Sequence, residues 1–237
     1  MANYYNEKVM KKFTAALSKY VDMVKRGENL RVTISDSNSK MGAVASVSTL
    51  PFVTCPNRCK DTCGANCYAA KIANMRTNVL NSYAKNTAIA MFNPSLFWAE
   101  VDTACKAVRY FRFHVSGDIL NYDYFCKMIE TARNNEKTEI LCFTKRYEIV
   151  NKWIDENGKL PNNLHVLFSG WSNLKTINPH NIAETNVFSK EDEIRDKIDE
   201  YMESIKELPW WEEEREYRCM VIDALLWVIG DESGKAI

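Results

Sequence analysis

The chain has 237 residues, of which 46% are hydrophobic, and its formal net charge at pH 7 is zero. This length and composition are enough for one large domain with a full hydrophobic core. Overall neutrality argues against a protein whose whole surface binds nucleic acid. The charged start MANYYNEKVMKKF lacks the apolar core of a signal peptide, and no later run reaches the length of a membrane span. We therefore expect a cytoplasmic protein with reduced thiols and no membrane partner.

The first quarter of the chain combines one helix, one strand and a long polar loop. Apolar residues recur on one face over residues 4–26, and Gly27 follows them, so the pattern predicts an N-terminal helix within residues 1–29. The alternating, β-branched residues 30–35 predict a first strand. Small polar residues then indicate a functional loop, with room for a short strand at 44–50.

Four cysteines, every fourth residue, follow in TCPNRCKDTCGANCYAAK, and they are the most informative feature of the sequence. On an unbroken helix such sulfurs would drift by about 40° per step and form a stripe instead of a cage. Pro56 and Gly64 allow the stretch to bend, which predicts a cluster loop over 54–68 with Cys67 at the entry to a helix. The metal ligands that we expect are Cys55, Cys59, Cys63 and Cys67.

The choice of metal depends on how the thiols are spaced. Structural zinc sites usually join two separate pairs of ligands, whereas four cysteines in one loop suit the four corners of a [4Fe-4S] cluster. We therefore expect an iron–sulfur cluster, with zinc as the less favoured metal. A disulfide or metal-free loop is the remaining alternative, and the expected reducing compartment disfavours a disulfide.

The middle of the chain alternates helices and strands. A helix is predicted from Tyr68 to about Asn93, and a second one follows Pro94. Strands at 109–115, 138–144 and 163–169 then alternate with helices at about 120–133 and 147–157. This βαβαβ order predicts an α/β fold whose sheet is mostly parallel or forms an incomplete (β/α) barrel, with the cluster loop after the first strand.

The predicted organisation is a single domain over 1–237, with an α/β core at 30–190 and C-terminal helices at 191–237. One more short strand is expected at 186–189. The last helix, at about 210–230, carries too many apolar residues for an exposed surface and should pack on the domain or on a partner.

Polar residues follow each strand of the βαβαβ run, and we interpret them as a binding site. The carboxyl ends of parallel strands share one edge of a sheet, where ligands gather. The candidate catalytic residues are Asp118 and Lys145. The candidate cofactor-binding residues stand at the three strand ends and are Ser116, Gly117, Asp118, Thr144, Ser169, Gly170 and Trp171. His114, inside an apolar strand, is interpreted mainly as a core histidine.

The segments NSKMG, TCPNRCKDTCGANCYAAK, FRFHVSGDI, CFTKR and FSGW resemble the phage and plasmid family called gene product 88. The resemblance covers about residues 38–172, and it implies a protein of phage or mobile-element type. The N-terminal and C-terminal helices lie outside it.

The order of elements also resembles a minimal member of the radical S-adenosylmethionine superfamily, whose partial barrel carries a cysteine loop after its first strand. That resemblance implies S-adenosylmethionine as a second cofactor, with Ser116, Gly117 and Asp118 holding the amino group of its methionine. The spacing differs, since that superfamily places three and then two residues between its cysteines, whereas this chain has three, three and three. If all four cysteines bind iron, no iron is free for the nucleotide; if three do, one is free.

Two functional hypotheses follow. The first is a radical-type iron–sulfur enzyme that acts on an unidentified substrate and receives electrons from a donor. The second is a metal-stabilised module without catalysis that binds a nucleic-acid backbone. Residues 40–112 hold nine Lys and Arg against three Asp and Glu, which favours a phosphate-bearing ligand near the cysteines. The basic residues in question are Arg58, Lys60, Lys71, Arg76 and Lys85. The two hypotheses differ in the salt dependence of binding.

Overall fold

The structure, a computed structural model, describes residues 3–36, 44–171, 174–185 and 191–206, together with residues 208 and 218. The chain divides into two compact units, Met1–Thr185 and Asn186–Ile237. The first unit contains the sheet and the cysteine loop. Among the described residues of the second unit is one long helix, α7 (Glu191–Lys206).

The sheet has six strands whose spatial order follows the sequence: β1 (Ile34–Ser35), β2 (Ala45–Val47), β3 (Tyr110–Phe113), β4 (Glu139–Thr144), β5 (Leu164–Ser169) and β6 (Glu184–Thr185). β1 runs antiparallel to β2, and every other neighbouring pair is parallel. The prediction of a mostly parallel α/β sheet is confirmed. Among the described strands the sheet stays open, with β1 and β6 at its edges.

The described α-helices of the first unit are α1 (Glu7–Lys25), α2 (Tyr68–Met75), α3 (Thr77–Phe92), α4 (Pro94–Lys106), α5 (Tyr122–Asn134) and α6 (Tyr147–Asn157). The helix predicted at 147–157 is confirmed to the residue. None of the helices that the structure describes is long and apolar enough to cross a membrane.

The first predicted strand is much shorter than expected. Only Ile34 and Ser35 pair with β2, because side chains satisfy the preceding backbone donors in place of a strand. The N–H of Val32 donates to Glu100 Oε2 at 2.6 Å, and that of Thr33 donates to Asn86 Oδ1 at 2.7 Å. The expected position of the cysteine loop also changes. The loop follows β2, which lies within the short strand predicted at 44–50, and does not follow the first strand.

The helix predicted over 68–93 is in fact two helices. Arg76 has an extended backbone (φ −120°, ψ 106°) and separates α2 from α3. Lys12 Nζ of α1 donates to the backbone carbonyl of Asn74 at 2.6 Å, which supplies a partner near the end of α2. Neither Gly nor Pro stands at this junction, so the local sequence gave no sign of the break.

Two hydrophobic clusters hold the first unit together. The larger packs both sheet and helix side chains around Phe111, Phe113 and Phe125. The smaller joins α1 to α2 and α3 through Phe13, Ala70 and Leu80. The cysteine loop lies in sequence between Leu50 of the smaller cluster and α2. The strand predicted at 186–189 and the helix at 210–230 lie outside the described residues.

Candidate functional site

Asp118 joins the ends of β3 and β4. Its Oδ1 accepts hydrogen bonds from Thr144 Oγ1 at 2.5 Å and from the N–H of Ile119 at 2.8 Å. Its Oδ2 accepts from the N–H of Lys145 at 2.9 Å. Only 4% of the residue is exposed. Burial raises the pKa of this carboxyl group, and the hydrogen bonds from Thr144, Lys145 and Ile119 oppose that rise. The carboxylate is thus committed to contacts within the protein.

Ser116 and Gly117 are packed against the segment that leads into the cysteine loop. The hydroxyl of Ser116 donates to the carbonyl of Thr49 at 3.0 Å, and the N–H of Asp118 donates to Thr54 Oγ1 at 3.0 Å. Gly117 has φ +83°, and a Cβ there would stand 2.0 Å from Thr49 Oγ1. Only glycine allows this approach. Ser116, Gly117 and Asp118, which are expected to hold a cofactor amino group, thus also contact the entry of the cysteine loop.

Lys145 connects the end of β4 to the end of β5 and to the cysteines. Its Nζ donates to Ser169 Oγ at 2.5 Å, and its positive charge lowers the pKa of Cys63. The adjacent Tyr147 hydroxyl donates to the carbonyl of Ser169 at 2.5 Å. Gly170 donates its N–H to Thr185, and Trp171 forms an isolated bridge with Leu174. Lys145 therefore links the ends of β4 and β5, and its charge adds to the hydrogen bond from Cys59 in lowering the pKa of Cys63.

The thiols of the loop contact one another. Hydrogen bonds to Cys55 and Cys63 are the leading causes that raise the pKa of Cys59 far above its ordinary value. The matching hydrogen bond from Cys59 is the first cause that lowers the pKa of Cys63 to about 6. Burial raises the pKa of Cys67 to about 11, with a smaller contribution from the charges of Cys55 and Cys63. The protonated thiol of Cys59 therefore lies between the sulfurs of Cys55 and Cys63, which accept hydrogen bonds from it.

The four thiols lie close together in sequence within one loop. Across the described parts of the chain, no three His, Cys, Asp or Glu side chains are grouped as a metal ion would require. All four cysteines of the loop are free of disulfides. Soft, partly buried thiols within one loop match the donor chemistry of an iron–sulfur cluster or of zinc.

The cluster loop is held by the start of α6 near its first cysteines and by α2 at its last cysteine. Arg58 lies over the ring of Tyr147, with its guanidinium carbon 5.0 Å from the ring centroid, and pairs with Glu148 Oε2 at 2.8 Å. Arg146 donates from Nη2 to the carbonyl of Thr54 at 3.0 Å. At the other end Cys67 is the N-cap of α2, and its sulfur accepts from the N–H of Ala70 at 3.4 Å. The predicted entry of Cys67 into a helix is confirmed.

His114 is buried, as expected, but it has an unusual backbone. Its φ is +60°, which is rare for a residue other than glycine, and its Nε2 lies 3.1 Å from the hydroxyl of Tyr124. Its Nδ1 has no hydrogen-bond partner among the described residues. Burial, helped by the charge of Arg112, lowers the pKa of the imidazole to about 3. His114 is therefore neutral at physiological pH.

Sequence reasoning missed the residues that connect the loop to the strand ends. Thr49 and Thr54 are buried, and their hydroxyls lie 3.1 Å apart beneath Gly117. Both stand in a stretch of small polar residues in which no spacing distinguishes them from loop residues. The basic residues proposed for nucleic acid include Arg58, which is paired, and Lys60, which lies over the ring of Tyr5 with Nζ 5.9 Å from its centroid. Lys71 and Arg76 are exposed.

The fold and these contacts define a mixed α/β protein with a cysteine-rich loop held against the carboxyl edge of a mostly parallel sheet. A model of the family described as Gene product 88 matches residues 13–226. The chain belongs to the gene product 88 family. The match extends beyond the motifs at 38–172 into α1 and the C-terminal unit. Comparison with curated proteins and with solved structures finds no match to either.

Proposed function

We propose that this chain is an iron–sulfur protein whose loop of Cys55, Cys59, Cys63 and Cys67 holds a [4Fe-4S] cluster. Three of these thiols bind iron and leave the fourth iron free, so that the protein acts as a radical-type enzyme with S-adenosylmethionine. The observation that carries the proposal is that hydrogen bonds from the N–H of Asp118 and from Arg146, each 3.0 Å long, hold Thr54 at the strand ends, directly before Cys55. Four cysteines share this loop, and the charge of the buried Lys145 contributes to the lowered pKa of Cys63. Such a loop, at the edge of the sheet where ligands gather, suits a negatively charged metal cluster.

The strand order gives separate support. The strands β2 to β5 follow one another in space as in sequence, are parallel, and are joined by helical segments. A (β/α) barrel is built in the same order, and its binding sites lie at the carboxyl ends of the strands. An incomplete barrel of this kind is part of the proposal.

When bound, such a cluster supplies single electrons, and an iron without a protein ligand would add a place for S-adenosylmethionine. The residues of this chain have separate tasks. The ammonium group of Lys145 favours negative charge at Cys63. Asp118 holds the backbone of Lys145 and the hydroxyl of Thr144, so we assign it a positioning role in place of direct catalysis. Arg146 holds the entry of the loop through Thr54.

The test is electron paramagnetic resonance of the reduced protein, purified without oxygen, before and after addition of S-adenosylmethionine. We expect a [4Fe-4S] signal that changes when the nucleotide is added, because the nucleotide would bind an iron directly. The variant Lys145→Gln should weaken this change, whereas Lys152→Gln, on the exposed part of α6, serves as its control. A cluster signal that the nucleotide leaves unchanged would contradict the S-adenosylmethionine part of the proposal.

A further inference from the structure

A groove of about 770 Å³ opens between the α3–α4 junction, the start of α5 and the segment before the cysteines. This volume lies within the range of small-molecule sites. Its floor includes Thr54, Trp98 and Tyr124, which are buried. Asp123 and Lys127 of α5 line it as well, and both are exposed. Of these groove residues, Thr54 belongs to the site described above, and the hydroxyl of Tyr124 lies 3.1 Å from Nε2 of His114.

The floor of the groove is aromatic. The rings of Trp98 and Tyr124 have centroids 4.7 Å apart at an angle of 58°. The side chain of Met91 and that of Leu120 complete an apolar wall. Aromatic faces attract organic cations, and the attraction is strongest for tryptophan. A ligand with an apolar body would bury that body against these side chains.

The charge at the mouth of the groove is negative. Lys127 pairs with Glu130 Oε2 at 2.5 Å, so its charge is compensated. No ion pair joins Asp123 to another residue in the part of the chain that the structure describes. Its carboxylate thus stands beside an apolar floor, where an ammonium group would complement it.

We infer that this groove binds a small molecule that joins an amine to an apolar or aromatic body. Thr54, on the groove floor, directly precedes Cys55, so a ligand there would lie beside the cluster loop. That this ligand is the substrate rests on the proposed function, whereas the binding itself does not.

The experiment uses the full chain labelled with 5-fluorotryptophan and follows the fluorine resonance of Trp98, assigned with Trp98→Phe. The probe is phenethylamine, and 2-phenylethanol and phenylacetate are its neutral and anionic counterparts. We expect saturable shifts with phenethylamine and affinities about three- to fivefold lower for the neutral probe, which an exposed ion pair would explain. Asp123→Asn should remove this preference, and Asp22→Asn, on an exposed part of α1, should keep it.

Three results would overturn the inference. They are an unchanged Trp98 resonance with all probes, equal affinity for all three, and a preference that survives in Asp123→Asn. Displacement of phenethylamine by S-adenosylmethionine would assign the groove to the cofactor and would also overturn its assignment to a substrate. Iron and sulfide are measured on the same samples. Amine binding without a cluster would contradict the proposed function alone, and a cluster without amine binding would contradict this inference alone.

Discussion

At the scale of single residues, position 117 requires glycine more strictly than position 27, the other glycine compared below. Its positive φ and the contact of a Cβ with Thr49 Oγ1 act together. We predict that Gly117→Ala lowers the free energy of unfolding by about 2–4 kcal/mol, from backbone strain and from overpacking. Urea denaturation measures this loss.

The matched control is Gly27→Ala. Gly27 also has a positive φ, +71°, but nothing lies within 4 Å of the position of its Cβ. This variant should lose only the strain contribution, about 1 kcal/mol. Equal losses in the two variants would show that the packing of Thr49 and Thr54 against Gly117 does not matter.

His114 predicts a dependence of stability on pH. Its folded-state pKa of about 3 lies below the ordinary value of 6.5. As the pH falls, the imidazole of His114 therefore takes up a proton in the unfolded chain before it does so in the folded chain. The stability that is present above pH 6.5 is lost progressively down to about pH 3. In full the loss is on the order of 5 kcal/mol.

Denaturation of the variant His114→Asn at several pH values tests this dependence. Asparagine tolerates the positive φ of position 114, so the variant should fold and should lose less stability between pH 6.5 and 4 than the wild type. The same slope in His114→Asn as in the wild type would mean that another group is responsible.

At the scale of elements, the cysteine loop depends on contacts with α6. We predict that Arg58→Ala speeds amide hydrogen exchange in residues 55–66 about tenfold, because the ring contact with Tyr147 and the pair with Glu148 contribute about 1–2 kcal/mol together. Hydrogen exchange followed by mass spectrometry measures this increase in rate. Arg26→Ala removes an exposed pair with Glu28 and should leave the loop unchanged. An unchanged exchange rate of residues 55–66 in Arg58→Ala would mean that the hydrogen bond from Arg146 to Thr54 is enough to hold the loop without Arg58.

The elements differ in how much of them the sequence determines. The strands β3, β4 and β5 and the helix α6 were predictable because apolar periodicity reports burial directly. Periodicity could not predict the shortness of β1 or the break between α2 and α3 at Arg76. The backbone near these two places is contacted by side chains that are distant in sequence, those of Asn86, Glu100 and Lys12. The meeting of Asp118, Lys145 and Ser169 followed from the geometry of parallel strands. The directions of these side chains could not be predicted in this way. The aromatic groove could not be predicted either, because its residues lie far apart in sequence.

At the scale of the whole molecule, the first unit contains its own cores. Every described residue of both hydrophobic clusters lies before Thr185. We predict that a fragment of residues 1–185 unfolds cooperatively in urea, since its apolar side chains find their partners within it. A fragment of residues 1–163, which lacks β5, should fail to do so. Gradual, non-cooperative unfolding of the 1–185 fragment would show that it needs the C-terminal unit.

The most direct test of the central claim is the iron, sulfide and zinc content of the protein purified without oxygen. We predict about four irons and four sulfides per chain, lost when Cys55, Cys59, Cys63 and Cys67 are replaced by serine. The content should be kept when the buried Cys105 and Cys142 are replaced by alanine. One zinc without sulfide, or iron that survives the fourfold serine variant, would contradict the assignment of an iron–sulfur cluster to this loop.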